Sequence, residues 1–206
     1  MVQPSQPGAG RILFAALFAG ACACLPLQAV ALKSPATVEV YYSPHGGCTE
    51  AIVNTLGAAK QTVLVQAYGF TSPPIEAALV AAAKRGVKVQ LILDRSNLTQ
   101  KSSEIEEAAA AGLPVWVDAR HEIAHNKVMI IDGEMVITGS FNFTHNAENN
   151  NAENLLIIRG KEIAARYTAN WQEHAQHSEP YNGDAAARMK KSDHPTSHHK
   201  ALWPFP

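Results

Sequence analysis

Thr62–Tyr68 reads T-V-L-V-Q-A-Y, Pro73–Arg85 reads P-P-I-E-A-A-L-V-A-A-A-K-R, and Val87–Leu93 reads V-K-V-Q-L-I-L. The outer segments are short and rich in β-branched residues, which predicts strands. The middle one opens on proline, is alanine-rich, and places Lys84 and Arg85 in its last turn with Gly86 just beyond. Those signals predict a helix over Ile75–Arg85. Strand, helix and strand of these lengths form a βαβ unit, so the two strands are expected to be parallel with a right-handed crossover.

The flanking sequence continues the alternation. Val38–Tyr42 predicts a strand, ended by Ser43-Pro44-His45-Gly46-Gly47, and Thr49–Ala59 a helix with apolar Ala51, Ile52, Leu56 and Ala59. A helix over Ser102–Ala111, a strand over Val115–Val117, two apolar runs at Lys127–Ile131 and Met135–Thr138, a strand over Leu155–Ile158 and a helix over Glu162–His174 follow. This pattern predicts an α/β fold with a mixed β-sheet flanked by helices.

The chain has 206 residues, 47% hydrophobic and 17% charged, enough apolar surface for one cored domain. Its formal charge is −1, and residues 32–183 hold 12 basic and 16 acidic side chains. Global charge therefore gives no sign of a polyanion binder. Arg11 is followed by the apolar run Ile12–Leu25, Pro26 and Ala29-Val30-Ala31. This predicts a secretory signal peptide over residues 1–31 and a periplasmic or secreted product, the alternative being an uncleaved membrane anchor. Removing it takes Cys22 and Cys24 away. Cys48 then stands alone, expected as a buried or idle thiol rather than a nucleophile. Residues 184–206, with His194, His198 and His199, are expected to be a disordered polar tail whose histidines offer an alternative as metal ligands. The catalytic domain is thus expected over residues 32–183.

Ile123–Glu153 carries the chemistry. His125-Asn126-Lys127 is followed by Asp132-Gly133, a favoured two-residue hairpin loop, and by Gly139-Ser140-Phe141-Asn142. With Ile131 opposite Glu134, strand alternation sets Lys127 against Thr138 and His125 against Ser140, with Asn142 one pair further on. Val128, Ile130, Met135 and Ile137 are then expected on the opposite, buried face. The polar face offers an imidazole nucleophile, and Lys127, Ser140 and Asn142 as donors to substrate phosphate oxygens. No group with metal-ligand spacing accompanies it, so no metal and no cofactor are expected. His121 and His145 read as surface residues, Phe141 and Phe143 as core. Arg95 reads as a structural partner of a carboxylate, with phosphate contact as the alternative.

H-x-K-x4-D followed by G-S-x-N closely resembles the signature of the phospholipase D superfamily. Tyr42-Ser43-Pro44, Ala67-Tyr68-Gly69-Phe70-Thr71, Ala82–Val87, Gly139–Thr144 and Asn151-Ala152-Glu153-Asn154 resemble its small, single-motif bacterial endonucleases. The resemblance spans Val38–Tyr181. It implies a phospholipase D-like fold and a phosphodiester hydrolase in which His125 forms a phosphohistidine. Lys127, Asn142 and Ser140 would hold the phosphate, Glu153 would orient the histidine, and Asp132 would have a structural, ion-pairing role. Nonspecific nucleic acid is the expected substrate, with phospholipid as the alternative and a noncatalytic binding protein as a third class. One motif per chain implies a homodimer, because the family's mechanism uses two histidines; the alternative is a monomer in which another histidine, such as His121 or His145, serves as the acid.

Overall fold

A computed structural model describes residues 32–183. The expected signal segment and C-terminal tail lie outside them. The strands are Thr37–Ser43 (β1), Thr62–Ala67 (β2), Phe70–Thr71 (β3), Lys88–Asp94 (β4), Val115–Asp118 (β5), Lys127–Ile131 (β6), Met135–Gly139 (β7), Phe143–Thr144 (β8), Glu153–Arg159 (β9) and Glu179–Pro180 (β10). The helices are Cys48–Gly57 (α1), Pro73–Lys84 (α2), Ile105–Ala110 (α3), His145–Asn149 (α4) and Lys161–Ala175 (α5). Eight strands form one sheet in the order β1-β9-β7-β6-β2-β4-β5-β10, and β3 pairs with β8 apart from it. As the βαβ pattern requires, β2 and β4 are parallel, and β5 joins β4 in parallel. The remaining ladders of the large sheet are antiparallel, which makes it mixed. No helix among the described residues is long and apolar enough to cross a membrane.

Both faces of the sheet are covered. On one, Ile52 and Leu56 of α1 and Ile75 and Leu79 of α2 pack with Val63, Val65, Leu91, Met129, Ile131, Ile137 and Ile157. On the other, Ala164 and Trp171 of α5 pack with Ile92, Val128, Ile130 and Val136. Trp171 is 6% exposed, and its indole N–H donates to the Val65 carbonyl at 2.9 Å. A buried tryptophan of this kind contributes about 3–5 kcal/mol relative to alanine.

The β6–β7 hairpin departs from expectation by one residue. Asp132 and Gly133 both have positive φ (55° and 64°), and the Glu134 N–H donates to the Ile131 carbonyl at 3.0 Å. The two-residue turn therefore forms as expected. Pairing then resumes with Ile131 opposite Met135, Ile130 opposite Val136 and Met129 opposite Ile137, so Glu134 is an extra residue on one strand. Its carbonyl accepts from the Gly160 N–H at 2.8 Å, which draws it out of the ladder. The shift exchanges faces: Val136 joins Val128 and Ile130, whereas Met135 and Ile137 lie with Met129 and Ile131. Continued along the strands, Lys127 meets Gly139 rather than Thr138.

Candidate active site

The C-terminal ends of β2, β4, β5 and β7 and the N-terminal ends of β6 and β9 meet along one edge of the sheet. Ala67 pairs with Lys127, and Gly139 with Leu155, in one row across it. Tyr68, His125, Ser140 and Glu153 lie just beyond that row.

Three backbone contacts hold the segment leading into β6. Ala124 N–H donates to the Asp94 carboxylate at 2.7 Å, Tyr68 N–H donates to the Asn126 carbonyl at 2.8 Å, and Lys127 Nζ donates to the His125 carbonyl at 2.8 Å. The His125 ring lies 4.6 Å from the Tyr68 ring, centroid to centroid, and is otherwise exposed. Lys127 is buried, 7% exposed, with Nζ 5.1 Å from the Tyr68 ring centroid. Burial lowers its pKa, opposed by the Glu153 carboxylate. An ammonium has three donors. With one committed to the His125 carbonyl, two are left for a phosphate.

Gly139 ends β7 with φ 144°, and a side chain there would run into the Asn154 carbonyl. That carbonyl accepts both the Ser140 and Phe141 N–H groups at 3.1 Å. Ser140 Oγ in turn accepts from the Asn154 backbone N–H at 3.0 Å and from Asn154 Nδ2 at 3.3 Å. Both acceptor positions of the hydroxyl are used, so its O–H is left to donate. Asn142 Oδ1 is buried without a partner, and a Cβ on Gly69 would lie 3.4 Å from it. Phe141 and Phe143 are fully buried core, as expected.

Other expected roles shift. Glu153 accepts from Asn151 Nδ2 at 3.1 Å and acts electrostatically on Lys127, rather than holding the His125 ring. Asp132 sits at the far end of β6, about 17 Å along the strand from Lys127. Its carboxylate accepts the backbone N–H groups of Lys60, Gln61 and Thr62 at 3.0, 2.7 and 2.9 Å, and the Lys60 charge acts on it in the same sense. Burial raises its pKa, but these three donors together lower it below the ordinary carboxylate value. Cys48 is fully buried, and burial with the Glu148 charge pushes its thiol up to about 11, in keeping with an idle thiol. Arg95 donates to the Glu122 carbonyl at 3.4 Å. It lines an open cleft of about 630 Å³ with Ser96, Thr99, Glu122 and Ile123, along the loop that carries His125.

A second cluster escaped the sequence reading. His121, expected as a surface residue, meets His174 and His177 around the buried carboxylate of Asp118, at the end of β5. Along the chain the group reads as two i,i+3 pairs, Asp118/His121 and His174/His177, which only the fold brings together. Burial raises the Asp118 pKa, yet hydrogen bonds from His174, His177, the Arg120 N–H and His121 outweigh it and hold it at about 2. Each pair is a local signal, but their meeting is not, because His174 lies 53 positions after His121.

The family model described as "Cardiolipin synthase, PLD-like domain" matches residues 52–175. A Rickettsia felis protein named phospholipase D is 48% identical over 134 residues, covering 65% of this chain and 67% of that protein. Mitochondrial cardiolipin hydrolase of Xenopus laevis is 32% identical over 126 residues, 60% of each chain. Nuc of Salmonella typhimurium, a crystal structure described as a phospholipase D family member, superposes with a TM-score of 0.68 at 37% identity, covering 72% of this chain and 99% of Nuc. NucT of Helicobacter pylori gives a TM-score of 0.66 at 26% identity, covering 71% of this chain and 100% of NucT. The chain belongs to the phospholipase D superfamily and is a phosphodiester hydrolase of that class. Within it, the chain falls on the single-domain, Nuc-like branch.

Proposed function

We propose that the chain is a secreted nuclease of low sequence specificity that cleaves nucleic-acid phosphodiesters through a phosphohistidine at His125, without a metal at that centre. The match that takes in 99% of Nuc at 37% identity carries this reading. Secretion rests on the composition of residues 1–31.

In the first step the His125 imidazole attacks phosphorus, the bond to the leaving oxygen breaks, and that oxygen takes a proton from a second histidine. In the second, water attacks phosphorus, gives its proton to that second histidine, and the P–N bond breaks. Lys127, Ser140 and Asn142 would stabilise the charge on the non-bridging oxygens. The second histidine is assigned to His125 of another copy of the chain. Edge strand β1 supports such pairing: Val38, Val40 and Tyr42 are 53%, 47% and 67% exposed along one face, and the strand ends with Ser43 opposite Glu153.

Phospholipid hydrolysis is the second reading, favoured by the name of the Rickettsia relative at 48% identity. Mature protein is incubated in EDTA with plasmid DNA, with RNA and with phosphatidylcholine vesicles. Nicking or RNA cleavage without choline release is expected, with rates that fall steeply as salt rises. Choline release alone would replace this reading with the second one.

A further inference from the structure

Beside the catalytic edge, the end of β5 and the end of α5 bring together four side chains of metal-binding type. Asp118 has a fully buried carboxylate, whereas the His174, His177 and His121 side chains are 14%, 17% and 46% exposed. His174 Nδ1 lies 2.7 Å, and His177 Nε2 and His121 Nδ1 each 3.2 Å, from the same oxygen, Asp118 Oδ2. One donor atom from each of the four residues falls within 4.8 Å of every other. The three rings face one another with centroids 4.9 to 5.2 Å apart.

We infer that Asp118, His121, His174 and His177 form a structural site for a divalent transition-metal ion of the zinc type. Three ring nitrogens crowd one carboxylate oxygen whose two in-plane lone pairs suit two hydrogen bonds. A cation among the four donors relieves that crowding, since each imidazole and the carboxylate then offers a lone pair to the ion. Three nitrogens and one oxygen are a set that zinc takes in tetrahedral geometry, with bonds of about 2.0–2.2 Å and donors about 3.3 Å apart. Shifts of about an ångström, chiefly in half-exposed His121, close the set to that size. The Arg120 N–H, which donates to Asp118 Oδ1 at 3.0 Å, fixes the carboxylate from behind as outer partners of metal ligands do.

Its consequence would be mechanical. His174 lies in the last turn of α5 and His177 just beyond it, Asp118 closes β5, and His121 lies on the loop that runs into His125. An ion there would tie the end of α5 to the sheet and pin the loop four residues before the nucleophile.

The test uses the full chain with His194, His198 and His199 replaced by alanine, stripped with EDTA and titrated with zinc chloride by calorimetry. One equivalent is expected, with a Kd below about 1 μM and a zinc-dependent rise in Tm of at least about 5 °C. Cobalt should give the visible absorption of a tetrahedral ion. His121→Ala, on an exposed loop, and His177→Ala should each weaken binding at least about 100-fold and abolish the Tm rise. Absence of saturable binding in the parent chain overturns the assignment. Unchanged affinity in His121→Ala overturns it too, whatever happens to the folding of His177→Ala.

Discussion

The carboxylate of Asp94 accepts the backbone N–H of Ala124 at 2.7 Å, joining the end of β4 to the residue before His125. Its other oxygen accepts the Ser96 N–H at 2.9 Å, which starts the short turn Arg95–Leu98. Asp94 is 1% exposed, and both bonds are charge-assisted. On the proposed mechanism it positions His125, the nucleophile.

Asp94→Asn keeps the shape but replaces one acceptor oxygen by a donor facing an N–H. We expect kcat to fall about 10–100-fold with KM changed less than about threefold, and stability to fall by about 1–3 kcal/mol. Steady-state kinetics and urea unfolding measure the two effects. A change confined to stability would leave Asp94 with no part in placing His125.

His125→Ala should lose at least about three orders of magnitude in kcat and keep its Tm within a few degrees, because the ring is exposed beyond its contact with Tyr68. Glu153→Gln should be milder, about tenfold, since its carboxylate acts on Lys127 rather than on the histidine. Activity of His125→Ala close to that of the parent chain would overturn the site.

Asp132→Ala should leave kcat per folded molecule nearly unchanged and cost about 1–2 kcal/mol, by removing the acceptor of three amides before and at the start of β2, two of which turn to water. The sign with pH follows from its lowered folded pKa. Its stabilisation is complete above about pH 4 and is lost as pH falls through the lower folded value. Acid unfolding of the variant should therefore show a flatter limb below pH 4 than that of the parent chain. Parallel limbs would mean that the carboxylate contributes nothing there.

Plasmid nicking should persist in EDTA at 25 °C to within about threefold. If it stops and magnesium restores it, the phosphohistidine mechanism loses its support. Restoration by zinc alone would instead report the Asp118 cluster acting through the loop that carries His125.

Mixed dimers of parent and His125→Ala chains, purified through two tags, test the shared centre. A centre that needs both histidines should leave each mixed dimer below about 5% of parental activity. Half of the parental rate would mean independent centres, and a monomer in sedimentation would exclude the pairing outright.

The βαβ core and the turn at Asp132-Gly133 were legible because both depend on residues close in sequence. So was the residue set His125, Lys127, Ser140 and Asn142, which the fold gathers at one edge. The hairpin register was not, because Glu134 is drawn aside by an amide 26 residues away at Gly160. Strands β3 and β8 are two residues each, too short to show any period. Asp94 gave no signal because its partner is an amide, which every residue but proline has. The cluster around Asp118 stayed hidden for a related reason: its two halves lie 53 positions apart, and His121 by itself read as a surface residue.

The anchoring of Asp132 by three amides turns the interval between it and Lys127 into a matter of parity. The turn end of β6 is clamped, so side chains are counted off backwards from a fixed origin, alternating sides at each step. One residue inserted or deleted between Val128 and Ile131 would swing the lysine to the α5 side of the sheet, among Ile130 and Trp171, while every motif residue remained in the chain. Two residues would restore the side but carry the ammonium about 7 Å along the sheet. The four-residue gap therefore acts as a measured length, and a search for working relatives should treat a changed gap as gravely as a missing histidine.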